Sequence, residues 1–149
     1  MTKCHLVLFT IFKVIILLLG MTEMPNANMG PQILWLSDVE AHDYPAADSF
    51  LRIIYSDERT TELVARLKEA PLVDFKAKDI FRASQLSLLG VSNSHVEKDR
   101  KKIEKGICLS PLLLVRDEEN SRVIIADGYH RLCAIYGFDE DALIRCKIV

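Results

Sequence analysis

"RVIIADGYHRLCAIYGF", residues 122–138, decides how this chain is read. Val123, Ile124 and Ile125 form a β-branched run that stops abruptly at Asp127-Gly128. Tyr129, His130 and Arg131 follow at once, and a helical pattern then continues to Tyr136, with Gly137 at its end. A strand therefore delivers a carboxylate, a glycine, an imidazole and a guanidinium together at one strand-to-helix corner.

A helix N-terminus carries unpaired N–H groups and a partial positive charge, which suits a phosphate. Gly128 lets a ligand approach the main chain, and His130 and Arg131 add donors. Asp127 has three readings: holding a metal, orienting His130 or capping the helix. A purely structural reading fits the same residues, with Asp127 capping, Gly128 turning and Arg131 solvated.

Working outward, Pro111 opens a strand over 112–115, and Asp117–Ser121 turns the chain into the strand 122–126. Leu143–Val149 reads as a final strand. Upstream, Ser94-His95-Val96-Glu97 is a capping box that opens a helix, and Gly106 closes it. Its apolar stripe is narrow (Val96, Ile103), while Lys98, Arg100, Lys101, Lys102 and Lys105 make the rest basic, with Arg100, Lys101 and Lys105 read as solvated. A helix over 58–69 presents Leu63, Val64 and Leu67 on one face, and Pro71 ends it. Asp48 or Ser49 is expected to cap a helix carrying Phe50, Leu51, Ile53 and Ile54. Ile33–Leu36 reads as a short strand, and Lys78–Ser84 as a strand or loop. Trp35 and Tyr44 read as packing residues, and His42-Asp43 as loop rather than as a metal dyad. The class expected is α+β, a small mixed sheet with flanking helices.

Half of the 149 residues are hydrophobic and 7% are aromatic, which suits a globular domain with a proper core. Residues 1–20 hold Lys3 and Lys13 and no acid, leaving 17 Lys and Arg against 21 Asp and Glu, a net of −4. That balance argues against broad nucleic-acid coating. "HLVLFTIFKVIILLLG" is apolar, but Lys13 splits it too short for a stable membrane span. Residues 1–20 are read as an over-extended start, with a signal or anchor as the alternative, which would make the protein exported or membrane-anchored. Residues 21–32 are a flexible lead-in, and 33–149 a single domain. Cys108, Cys133 and Cys146 have no paired spacing and read as small core side chains in a reducing cytoplasm.

The stretch "SPLLLVRDEENSRVIIADGYHRLCAIYGF" resembles the core of the ParB/sulfiredoxin-like superfamily. In that superfamily a hairpin leads to a helix-start motif that grips nucleotide phosphates. ParB-type proteins carry a G-E-R-R-like version, sulfiredoxins G-C-H-R, and a free-serine kinase branch D-G-H-H-R. Asp127-Gly128-Tyr129-His130-Arg131 is most similar to the last, and the resemblance covers roughly residues 92–149. It implies a nucleotide- or phosphate-binding domain taking ATP or another nucleotide with Mg²⁺. Gly128, His130 and Arg131 would be binding residues, with His95, Lys98 and Lys102 from the preceding helix. Turnover would be phosphoryl transfer or hydrolysis of a nucleotide or nucleic acid. Asp127 and His130 would be catalytic, and Asp127 would carry the Mg²⁺. Tyr129 stands where sulfiredoxins have their cysteine, so sulfinic-acid reduction is excluded. No helix-turn-helix follows, so sequence-specific DNA reading is not expected. The alternative is a non-catalytic interaction or toxin–antitoxin-type module on the same fold, with a protein partner.

Overall fold

The computed structural model describes residues 30–149, which form five helices and a four-stranded mixed sheet. In chain order these are α1 (Asp43–Leu51), α2 (Asp57–Glu69), β1 (Val73–Lys76), α3 (Ala77–Ser84), α4 (Ser94–Glu104), β2 (Leu112–Asp117), β3 (Arg122–Asp127), α5 (Tyr129–Tyr136) and β4 (Leu143–Ile148). The class is α+β, as the pattern implies. The readings made for residues 1–29 lie outside the described residues. Among the described residues no helix is long and apolar enough to cross a membrane.

The strand order is β1-β4-β2-β3, with β4 and β2 parallel and the other two pairings antiparallel. Two continuous apolar runs explain its layering. Along β2, Leu112 and Leu114 enter one core while Leu113 and Val115 enter another. On β3, Ile125 joins the first, and Ile124 and Ala126 the second. A strand alternates its side chains between faces, so an unbroken apolar run must be covered on both. Residues of α3, α4 and α5 pack into the first core, and those of α1 and α2 into the second.

The two elements that meet at the corner follow their local signals. Gly106 (φ +66°) closes α4 in a Schellman turn, with Ile107 N–H on Lys102 O at 2.9 Å and Gly106 N–H on Ile103 O at 3.0 Å. The opening of α4 is shifted by one residue. Asn93, not Ser94, is the cap, and its carboxamide oxygen accepts from the N–H of His95 (3.0 Å) and Val96 (3.3 Å). Asn93→Ala is therefore expected to cost about 1 kcal/mol in urea denaturation, and Ser94→Ala within about 0.5 kcal/mol.

Further expectations are corrected. The helix expected to start at Asp48 or Ser49 instead runs Asp43–Leu51, so Ile53 lies past its end and is 82% exposed. Lys78–Ser84 is helical because Ala77, Ile80 and Ser84, three and four residues apart, are buried together on one face. Ile33–Leu36 reduces to a single parallel bridge, Trp35 to Leu109. Cys108 is exposed, whereas Cys133 and Cys146 are buried, and burial pushes the Cys146 thiol up to about 12. Arg100 is likewise not simply solvated, since its guanidinium lies 4.2 Å over the Phe138 ring.

Candidate functional site at the start of α5

β3 ends at Asp127, Gly128 turns the chain with φ +100°, and α5 starts at Tyr129 without any side-chain cap. An added Cβ at Gly128 would lie 2.6 Å from Leu112 Cγ, so the turn is pressed against the base of the sheet. Only glycine accommodates both that backbone conformation and that proximity.

Arg131 faces inward. Its Nη1 donates to Asp43 Oδ2 at 2.9 Å, and its Nη2 donates to Asp127 Oδ2. Asp43, 4% exposed, also accepts from Ser110 Oγ at 2.6 Å through the same oxygen. Ser110 Oγ in turn accepts from the N–H of Glu40 at 3.0 Å. The guanidinium thus ties the start of α1 to the β3–α5 corner, and Asp43 extends the network to Ser110 on the approach to β2. Burial pushes the Asp127 carboxyl above its ordinary value, with Asp43 adding to the rise and Arg131 opposing it. In this geometry Arg131 positions the corner, and two of its nitrogens are already occupied.

His130 and His95 are brought together from different helices. Their ring centroids lie 5.0 Å apart at 32°, each in the first turn of its helix. Burial, and then the neighbouring His95, hold His130 below its ordinary value, while Asp99 acts the other way. The Tyr129 hydroxyl donates to Ser87 O, fastening the 85–90 loop beside the corner.

The basic residues of α4 lie elsewhere on that helix. Lys102 pairs with the buried Asp99 at 3.1 Å. Lys98 is exposed, about 160° around the helix from the buried Val96. Lys98, Lys101, Lys102 and Lys105 line a shallow groove of about 480 Å³ whose walls include none of Gly128, His130 or Arg131. The geometry therefore unites Asp127, Gly128, His130, Arg131 and His95, and leaves Lys98 and Lys102 at their margin.

Asp43 and Ser110 are participants that sequence reasoning missed. The available signal is the adjacent His42-Asp43 pair, which the local pattern presents as loop. His42 Nε2 does lie 3.2 Å from Asp43 Oδ1, and Glu40 adds a third ligand-type group within 4.8 Å. The other oxygen of Asp43 is already held by Arg131 and Ser110, so this cluster serves the corner's ion network. Compared with known proteins, the chain matches no family model, no curated protein and no solved structure.

Proposed function

We propose that this chain is a ParB/sulfiredoxin-like domain that binds a phosphate-bearing ligand, such as a nucleotide, at the N-terminus of α5. The observation that carries the reading is the uncapped first turn of α5, entered through Gly128 and flanked by the imidazoles of His130 and His95. Free N–H groups at a helix start favour an anion. The Asp127-Gly128-Tyr129-His130-Arg131 resemblance supplies the ligand class. In this reading His130 and His95 are the donors closest to the ligand, and Arg131 holds the corner in shape. Lys98 and Lys102 contribute attraction at longer range, weakening as salt rises.

Mg²⁺ does not fit at Asp127 as this site is built. The carboxylate there is engaged by a guanidinium, and a second cation would compete with it. The proposal is therefore one of binding, and no reaction step is derived through a metal. The same reading assigns the protein to the cytoplasm, where unpaired Cys108, Cys133 and Cys146 would persist as thiols.

Thermal denaturation in the presence of ATP, ADP, CTP or inorganic pyrophosphate, each with and without Mg²⁺, tests the reading. A ligand at a hundredfold excess over its Kd should add about 2.7 kcal/mol of stability. That gain should be largely lost in His130→Ala and reduced by salt. If no phosphate compound raises the melting temperature, the corner is structural and the domain is better read as an interaction module.

A further inference from the structure

We propose that His95 and His130 form a single proton-accepting clamp, selective for multiply charged phosphate, in which anion binding draws a proton onto the imidazole pair. The inference rests on the reading of the α5 N-terminus as an anion site and deepens it by assigning how charge is matched there.

The geometry is specific. Two helices bring two imidazoles to a centroid separation of 5.0 Å, and both rings sit in the first turn of their helices. Helix N-termini disfavour a cation, and a second imidazolium at this range disfavours it again. The first turn of α4 is already satisfied by Asn93, whereas that of α5 is uncapped. An anion seated on α5 would therefore lie beside the pair. It would reverse both penalties, since its negative charge offsets the helix end and the mutual repulsion of the rings.

The surrounding groups leave the imidazoles in control of this charge. From α4, Asp99 is paired with Lys102, and Lys98 points toward solvent. On α5, the Tyr129 ring stands 5.9 Å from His130, and its hydroxyl is bonded to Ser87 O. Arg131 is turned onto Asp43 and Asp127, which closes the β3 side. Without ligand, the lowered His130 value means that the unfolded chain takes up the proton first. Stability is then complete above the ordinary value of 6.5 and falls as pH drops below it. A bound phosphate should reverse that slope.

The test follows the imidazole Cε1–H resonances of the whole chain through a pH titration, with and without ADP or inorganic pyrophosphate. The imidazoles are read directly, so ionisation of the ligand itself does not interfere. In the free protein, His95→Gln should raise the pKa of His130, because the neighbouring ring no longer opposes its charge. Saturating ADP or pyrophosphate should raise the pKa of His130 in the native protein by about one unit. That shift equals about tenfold tighter binding to the protonated form. The ratio of the native protein's affinity to that of the double variant His95→Gln/His130→Gln should accordingly rise from pH 8 to pH 6, since ionisation of the ligand itself is common to both. His95 is exposed and His130 partly so, and both substitutions should leave the fold intact. If ADP or pyrophosphate raises the melting temperature while His130 titrates unchanged, the clamp is wrong and the binding site survives. If His95→Gln leaves the titration of His130 unmoved, the rings are not coupled and the clamp again falls. If neither compound binds, the clamp and the proposed function fall together.

Discussion

Arg131→Ala should lose about 3 kcal/mol of folding stability in urea denaturation at neutral pH, although the sequence reads this side chain as a phosphate contact or a solvated charge. The side chains of Arg131, Asp43 and Asp127 are only 12%, 6% and 22% exposed, so removing the guanidinium strands two carboxylates away from water. The sign of the pH dependence is distinctive. Burial already raises the Asp127 carboxyl and Arg131 opposes that rise, so without Arg131 it should rise further and the native form should bind more protons than the unfolded one. Stability of the variant relative to wild type should then recover as pH falls into the carboxylate range. Asp127→Asn in the Arg131→Ala background should restore part of the loss by removing one stranded charge. A cost below about 1 kcal/mol would mean that the network behaves like a solvated surface pair. Lost ligand binding in Arg131→Ala alone would be uninformative, because the corner itself should have shifted, and His130 is the cleaner probe of contact.

Gly128→Ala should be comparably severe, at about 3 kcal/mol or more. Backbone strain at φ +100° accounts for a part. The remainder comes from the new Cβ lying 2.6 Å from Cγ of Leu112, which is fully buried and cannot give way cheaply. Gly106→Ala separates the two contributions. Its φ is also positive, at +66°, but an added Cβ meets nothing within 4 Å, so strain alone should cost about 1–2 kcal/mol. Thermal denaturation of both variants checks the difference. Equal losses would show that the contact with Leu112 relaxes freely. Adding Leu112→Ala to Gly128→Ala should also cost less than the sum of the separate losses, because the clashing atoms are gone.

These two variants mark the boundary between what was legible in the sequence and what was not. The C-terminal half was legible because its signals are local. Gly106 and Gly137 end helices α4 and α5, and Pro111 precedes β2. The β-branched run of β3 breaks at Asp127-Gly128 into the helix Tyr129–Tyr136, at the bounds its pattern implies. Residues 33–90 were less so. The start of α1 is tied by the carboxylate of Asp43 to Ser110 and Arg131, 67 and 88 residues away, and no periodicity encodes such a partner. The helical state of 77–84 likewise draws on a face packed against the sheet and on a T-shaped contact between the Phe81 and Tyr136 rings, with centroids 4.9 Å apart.

At the site itself, residue types and their order along the chain came from the sequence alone: a glycine before a helix, an imidazole and a guanidinium in its first turn, a carboxylate before it. Those choices follow from backbone conformation and helix-end chemistry, which act over a few residues. The direction in which each side chain points was decided only by tertiary structure. Arg131 turns inward because two carboxylates, one from the distant α1, wait there and burial makes that pairing hard to break. His95 becomes the neighbour of His130 because α4 and α5 pack together on the same face of the sheet. Lys98 faces solvent because Val96 and Ile103 claim the buried side of α4, and a helix can bury only one stripe.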